Sequence, residues 1–244
     1  MYKKIFISFF SLFLLSPILN CQSVGISAGY GFLNVNPIHI NLENSQNIIS
    51  NFSRTASSYD EITGGLFLEG NFKYGVSNFN LGVTGNYISC SDDFSYSNIG
   101  ASFEENYDVS IIEILTLFEV VIPIENSLVQ PFIQVSGGIG FVSAEYSSDI
   151  KYITYPITRF SVNNIVDGNF FAGRIKGGLQ FMLQNIILEL AAGYRIANAG
   201  ELKGDHIENG TTLENMPVRD SSGNAVEFDY SGVLITGGIS IVIQ

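Results

Sequence analysis

The sequence predicts an all-β fold, an eight-stranded antiparallel up-and-down transmembrane β-barrel. Three observations carry this prediction: two-residue apolar alternation in eight separate stretches, tight turns alternating strictly with long polar connections, and opposite charges in balance on the polar strand faces. A strand sends successive side chains to opposite sides, so alternation over a run of residues reports a strand with two unlike faces. In the run from Leu66 to Tyr74, Leu66, Leu68, Gly70, Phe72 and Tyr74 share one face, while Phe67, Glu69, Asn71 and Lys73 share the other.

Alternation bounded by turn-forming residues places the strands at Gln22–Val35, Ile62–Val76, Phe79–Cys90, Asn106–Ile122, Leu128–Tyr146, Gly168–Leu183, Ile186–Ala197 and Phe228–Gln244. Most exceed the roughly 9 to 11 tilted residues that cross a bilayer. The connections Ser77-Asn78, Glu125–Ser127 and Gln184-Asn185 are tight. Between them fall the long connections Asn36–Glu61, Ser91–Glu105, Ser147–Asp167 and Asn198–Glu227. A membrane barrel with its amino terminus in the periplasm needs short turns at one rim and long loops at the other, whereas a soluble sandwich has no reason to sort its loops in this way. Glycine pairs recur at Gly64-Gly65, Gly137-Gly138, Gly177-Gly178 and Gly237-Gly238, where they relieve crowding and permit the bending a small barrel requires.

Residues 1–21 read as a secretory signal peptide, with Lys3 and Lys4 ahead of the apolar run Ile5–Leu15, and residues 22–244 as one barrel domain. No second apolar run is long enough for a membrane helix, so any membrane span must be built from strands. Export combined with spanning strands implies the outer membrane of a Gram-negative-type bacterium. Ile18-Leu19-Asn20-Cys21 loosely matches a lipobox, which makes Cys21 a candidate lipidation site, although Asn20 stands where a small residue is usual; ordinary cleavage beside Cys21 is the plainer alternative. With Cys21 lost or lipidated, Cys90 has no disulfide partner and is expected unpaired near a strand end.

Formal charge is −12 and becomes −14 once the two leader lysines are removed, which argues against nucleic-acid binding. The polar strand faces are nonetheless neutral. Glu69, Glu113, Glu119 and Glu189 stand against Lys73, Arg174, Lys176 and Arg195, while most other acids, among them Glu105, Asp108 and Glu145, fall in the long connections or at their rims. A solvated face has no need to balance its charges. A narrow lumen does, because an unpaired buried charge costs about several kcal/mol. The polar face is therefore predicted inside, lined also by small residues such as Asn80, Thr84, Asn86 and Ser136. The uncharged face, with Leu81, Ile114, Val135, Ile175, Leu190 and Ile239, is predicted to meet lipid. Tyr74, Phe79, Tyr87, Phe141, Phe171, Phe181, Tyr194 and Tyr230 are placed near the rims as an aromatic girdle.

Taken together, the leader, amphipathic strands, sorted connections and charged lumen resemble the OmpA/OmpX-type small outer-membrane barrels, over nearly the whole chain. The resemblance rests on architecture, without a diagnostic motif. It implies interior ion pairs among Glu69, Glu113, Lys176 and Arg174 or Arg195 that fill and stiffen the barrel. Such barrels usually end in an aromatic residue, whereas this chain ends Ile241-Val242-Ile243-Gln244.

No catalytic constellation is evident. His39 and His206 both fall in long connections, and neither belongs to a His-x-Ser arrangement. Asp205, His206 and Glu208 lie close in sequence, but Gly204–Gly210 lacks the ordered ligand spacing of a calcium loop. Clustered acids such as Asp92-Asp93 and Glu104-Glu105 could attract divalent cations that also bridge lipopolysaccharide phosphates, with plain solvation as the simpler alternative. An eight-stranded barrel has room for its own side chains or one small ligand, so no general diffusion pore is expected. The expectation is a cofactor-free, metal-free, non-enzymatic monomer in contact with outer-membrane lipid and lipopolysaccharide. Its long acidic connections would serve a structural role or meet an unknown external ligand. Transport of a small or hydrophobic molecule and lipid modification are the alternatives.

Overall fold

The computed structural model describes residues 21–33, 64–97, 101–125, 127–152, 158–208, 210–218 and 227–243. Its strands are β1 (Cys21–Leu33), β2 (Gly65–Val76), β3 (Phe79–Ser97), β4 (Ala101–Val121), β5 (Val129–Tyr152), β6 (Thr158–Leu183), β7 (Ile186–Glu201), β8 (Lys203–Glu208), β9 (Thr211–Pro217), β10 (Glu227–Asp229) and β11 (Gly232–Ile243). Strands β1 to β7 pair in sequence order, and β11 pairs with both β7 and β1. That last pairing closes an antiparallel ring of eight strands. Residues 1–20 of the leader lie outside the described residues, as do His39 and the Asn36–Glu61 connection.

Register fixes the barrel's geometry. Partners followed once around the ring run Ser23, Lys73, Gly82, Leu117, Ser136, Arg174, Arg195, Gly232 and back to β1 at Leu33, a stagger of ten residues. With a rise of about 3.3 Å per residue and about 4.7 Å between strands, this stagger tilts the strands about 41° from the axis and gives a backbone radius of about 8 Å. Such a cylinder holds one layer of inward side chains and no wide channel.

Two of the tight turns depend on a left-handed residue, Ser77 at φ 58° and Gln184 at φ 55°, as two-residue hairpins require. Inside the wall, glycine permits close approach of neighbouring strands. A Cβ on Gly82 would sit 2.1 Å from the Phe72 carbonyl oxygen, and one on Gly138 would sit 2.1 Å from that of Ile114.

The predicted faces are the observed ones. Along β2 the inward Phe67, Glu69, Asn71 and Lys73 are buried, while the outward Leu66, Leu68 and Phe72 are exposed. Outward rows of Ile, Leu, Val and aromatic residues wrap all eight ring strands. No described charged side chain interrupts them between the turns and the level of Tyr87, Ile112, Phe141, Phe171 and Ile196. Charged or unpaired polar groups cannot face hydrocarbon cheaply, and a closed ring leaves no unpaired strand edge inside it.

Beyond that level the polarity of the same strands inverts. Outward positions become Ser89, Ser110, Ser143, Asn169 and Asn198. Inward positions become apolar, with Ile88, Ile111, Val142, Phe170, Ala172, Ala197 and Leu202 joined in one core. Strands β5 and β6, of 24 and 26 residues, far exceed a bilayer crossing and continue into this second region. There β3, β4, β5, β6, β8 and β9 form a protruding sheet, β8 pairing with Val162–Asp167 of β6. The molecule is thus a membrane barrel carrying a head whose interior and surface follow the rules of a soluble protein.

The head corrects several expectations. Most of Ser91–Glu105 and Ser147–Asp167, expected as loops, continues the strand ladder: Ser97 pairs with Ser102, and Tyr152 pairs with Thr158. Glu105 was expected in a loop, yet it is 2% exposed and points inward. Tyr230 is not a rim residue. Its side chain is fully buried in the head core, because it shares the inward parity of Leu234 and Thr236. Cys90 is a free, buried thiol well inside β3 rather than near its end.

Candidate functional site: the charged lumen

All eight charged residues singled out in the sequence point into the lumen and are buried. Glu69 and Lys73 come from β2, Glu113 and Glu119 from β4, Arg174 and Lys176 from β6, and Glu189 and Arg195 from β7. Within each pair the residues are separated by an even number of positions, so alternation alone delivers both to the same side.

They form one ladder along the barrel. Nearest the short turns, Lys73 Nζ lies 2.6 Å from Glu119 Oε2 and 3.2 Å from Glu189 Oε2. Glu189 Oε1 meets Lys176 Nζ at 2.9 Å, and Lys176 Nζ also reaches Glu69 Oε1 at 3.1 Å. The other oxygen of Glu69 faces Arg174 Nη2 at 2.5 Å. Arg174 Nη1 donates to Asn86 Oδ1 at 3.4 Å, and Asn86 Nδ2 donates to Glu113 Oε2 at 3.0 Å. Glu113 Oε1 then accepts from Arg195 Nε at 2.7 Å, and Arg195 Nη1 donates to the Tyr230 carbonyl oxygen. Both arginines expected by resemblance as alternatives are used, each with its own glutamate. That matters because Arg174 and Arg195 stand directly opposite each other on β6 and β7.

Neutral partners complete the ladder. Asn80 Nδ2 and Gln180 Nε2 donate to Glu119 Oε1 at 2.7 and 3.2 Å, and the Ser27 hydroxyl donates to Glu69 Oε1 at 3.3 Å. Three cations also face phenylalanine rings: Lys73 lies 5.7 Å from the centroid of Phe132, Arg174 lies 5.5 Å from Phe67, and Arg195 lies 5.7 Å from Phe170. The ring quadrupole favours a cation over its face. Phe67 was legible on the polar face of its strand, whereas Gln180, Phe132 and Phe170 escaped the sequence reading. Their inward parity was available, but an inward phenylalanine looks like any other strand aromatic.

Chemically the ladder is a set of mutually neutral ion pairs, in which Arg174 Nε and Arg195 Nη2 are buried without a hydrogen-bond partner among the described residues. Every carboxylate in it already accepts from a cation, and the one that also accepts from a hydroxyl, Glu69, is held by both Lys176 and Arg174. Such a network holds strands of the wall at fixed separations and fills the lumen between them.

In the head, the Tyr146 hydroxyl donates to buried Glu105 Oε1 at 2.5 Å. His206 lies on β8, with Nδ1 2.5 Å from Asn164 Oδ1 and Nε2 3.7 Å from Glu208 Oε2. Its neighbour Asp205 accepts from the Asn215 backbone N–H at 3.3 Å instead. The structure therefore does not gather Asp205, His206 and Glu208 into one triad. Among the described residues, no group of three His, Cys, Asp or Glu side chains has metal-holding geometry. Cys21 opens β1, where its backbone pairs with Gly75.

Solved structures with a similar chain course include neisserial surface protein A, with 10% identity, 91% of this chain and 96% of that chain covered, and a TM-score of 0.43. A major outer membrane protein from Thermus thermophilus shows 11% identity over 91% of this chain and 99% of that one, TM-score 0.40. Ail, the attachment invasion locus protein of Yersinia pestis, shows 13% identity over 91% and 99%, TM-score 0.35. No protein-family model and no curated protein sequence matches the chain. Strand closure, stagger and the two polarities of the wall establish the fold on their own: a small, eight-stranded up-and-down membrane barrel with a charged interior.

Proposed function

We propose that this chain is a small, non-enzymatic outer-membrane barrel whose closed, ion-paired lumen makes a rigid mount for a protruding acidic head. Its task on this reading is envelope structure or surface interaction. The observation that carries it is the inversion of polarity along continuous strands. Below the level of Ile112 and Phe141 the wall suits hydrocarbon outside and charge inside; above it the same strands carry Ser110, Asp108, Glu145 and Asp149 outside and an apolar core inside. Strands that run on without interruption couple the head firmly to the membrane segment. Lipid is the partner of the apolar wall, and the external ligand, where there is one, meets the head.

Lipopolysaccharide suits the rim, where divalent cations can bridge its phosphates to carboxylates. A ring that leaves no open edge at membrane depth offers a second copy no strand to extend, which supports the monomeric reading.

Single-cysteine labelling with a membrane-impermeant maleimide tests the topology. A cysteine at Lys151 in the head should label on intact cells, while one at Asn185 in a short turn should label only after the outer membrane is permeabilised. The buried native Cys90 thiol supplies the unlabelled background. Labelling at Asn185 on intact cells, with Lys151 protected, would invert the proposed orientation and remove the head from the outside.

A further inference from the structure

The charge ladder is bracketed by a pair of phenylalanines whose placement repeats with the strand direction reversed. On β5, Phe132 stands directly opposite Gly178 of β6; on β6, Phe170 stands directly opposite Gly140 of β5. Each phenylalanine also lies eight residues before the glycine that seats the other ring. Two strands of one hairpin therefore offer the same ring-over-glycine joint twice, related by a local two-fold axis.

Each glycine is needed for its ring. A Cβ on Gly140 would lie 2.3 Å from Phe170 Cζ, and one on Gly178 would lie 2.8 Å from Phe132 Cε1. Each ring occupies the space that a side chain at the facing glycine would take. Both are nearly closed to solvent, Phe132 at 1% exposure and Phe170 at 6%.

Their positions bound the ladder. Phe132 pairs with Val121, two residues nearer the short turns than the Gln134–Glu119 row, and its face holds Lys73. Phe170 lies four residues from Arg174 toward the head and holds Arg195. It belongs to the buried core that also holds Ile88, Ile111, Val142, Leu202 and Tyr230, and it is the ring of that core that faces Arg195.

We propose that the lumen is held shut by these two phenylalanine stoppers, one at each end of the charge ladder, rather than by the ion pairs between them. This rests on the membrane reading above. A ladder of neutralised pairs with its Asn, Gln and Ser partners is polar enough to admit water and small ions; the aromatic layers at its ends are not. Each stopper is anchored by a cation from another strand, Lys73 of β2 or Arg195 of β7. Swinging either ring off its glycine would expose the ladder from that side, and displacing both would connect the two sides.

Single-channel recording on the full chain refolded into planar bilayers tests this. The parent is expected to give no current steps. The Phe132→Ala/Phe170→Ala double variant should give discrete steps, and Phe132→Ala combined with Gly140→Ala should give them too, because the added methyl displaces Phe170 without removing it. Gly178→Ala is unsuitable, since its Cβ would also strike the Leu190 carbonyl oxygen at 2.2 Å. Folding of each variant is checked by the gel-mobility shift of the unheated barrel.

A folded double variant that stays silent would overturn the proposal. So would current on neutralising Glu113 and Arg195 with both phenylalanines intact, because closure would then belong to the ion pair. Absence of a protease-protected β-sheet fragment in vesicles is a separate readout: it would remove the membrane reading itself, and the stoppers with it.

Discussion

Arg195 and Glu113 offer the sharpest energetic test of the ladder. Both side chains are fully buried, 2.7 Å apart, and Arg195 additionally binds the Tyr230 carbonyl oxygen and the face of Phe170. Changing Arg195 to Met keeps much of the volume but leaves the Glu113 carboxylate with only the Asn86 amide as a partner. Removing one member of a buried pair costs about 3–5 kcal/mol, because the remaining charge is desolvated without compensation. That corresponds to a fall of about two to three and a half orders of magnitude in the folding equilibrium constant. Glu113→Gln should cost a similar amount by stranding Arg195. The double variant Glu113→Gln/Arg195→Met removes both charges and should lie within about 2 kcal/mol of the parent, the remainder reflecting the unpaired Tyr230 carbonyl and lost ring contact. Urea unfolding from lipid vesicles, followed by far-ultraviolet circular dichroism, measures all three. Additive single-variant costs would refute the view that the two residues act as one neutral unit.

The other expectations follow from local geometry. Gly138→Ala and Gly82→Ala should each destabilise the barrel by about 1–3 kcal/mol, since their methyls strike neighbouring backbone, whereas Gly70→Ala and Gly85→Ala meet nothing within 4 Å and should stabilise by about 0.5–1 kcal/mol in the same urea assay. Arg159→Ala should leave the unfolding midpoint unmoved, because its ion pair with Asp149 sits on the solvated surface of the head. Tyr146→Phe should cost about 1–3 kcal/mol by removing the hydroxyl that donates to the buried Glu105 carboxylate. Burial first, then the Glu105 carboxylate, push the Tyr146 hydroxyl above its ordinary range. The folded form therefore holds that proton more tightly than the unfolded form. This contribution is complete below about pH 10, and it is lost as pH rises above that value. The phenylalanine variant should lack that alkaline loss in pH-dependent unfolding; an unchanged alkaline limb would contradict the assignment.

Parity was the most legible property of this sequence. Counting by twos within each strand puts Glu69 with Lys73, Glu113 with Glu119, Arg174 with Lys176 and Glu189 with Arg195 on one face, since a strand cannot send neighbours to the same side. What parity could not show was where the environment changes. Ile111, Leu115 and Leu117 share the inward face of β4 with Glu113 and Glu119, and the unbroken run Ile111-Ile112 hides the alternation that would have revealed them. In Ser147–Asp149, serine and acidic residues imitate a loop, yet Ser148 keeps the inward parity of Val142, Ala144 and Tyr146. The strands continue because a second, inward apolar core forms above the membrane, and that core exists only once side chains from β2 to β7, β10 and β11 come together. Tyr230 shows the same limit from the other direction: rim aromatics are common in such barrels, but its even spacing from Leu234 and Thr236 already pointed it inward. Strand parity also left open which phenylalanine faces which glycine, because that depends on register between strands.

Nuclear Overhauser contacts between detergent chains and methyl groups, in the folded protein at natural charge, test the orientation of the wall most directly. The methyls of Ile112, Ile114, Ile133 and Ile139 should contact detergent hydrocarbon, while those of Ile111 and Leu115 should contact only protein. Detergent contacts at Ile111 and Leu115, with water reaching Ile114 and Ile139, would place the oily surface inside and contradict the account.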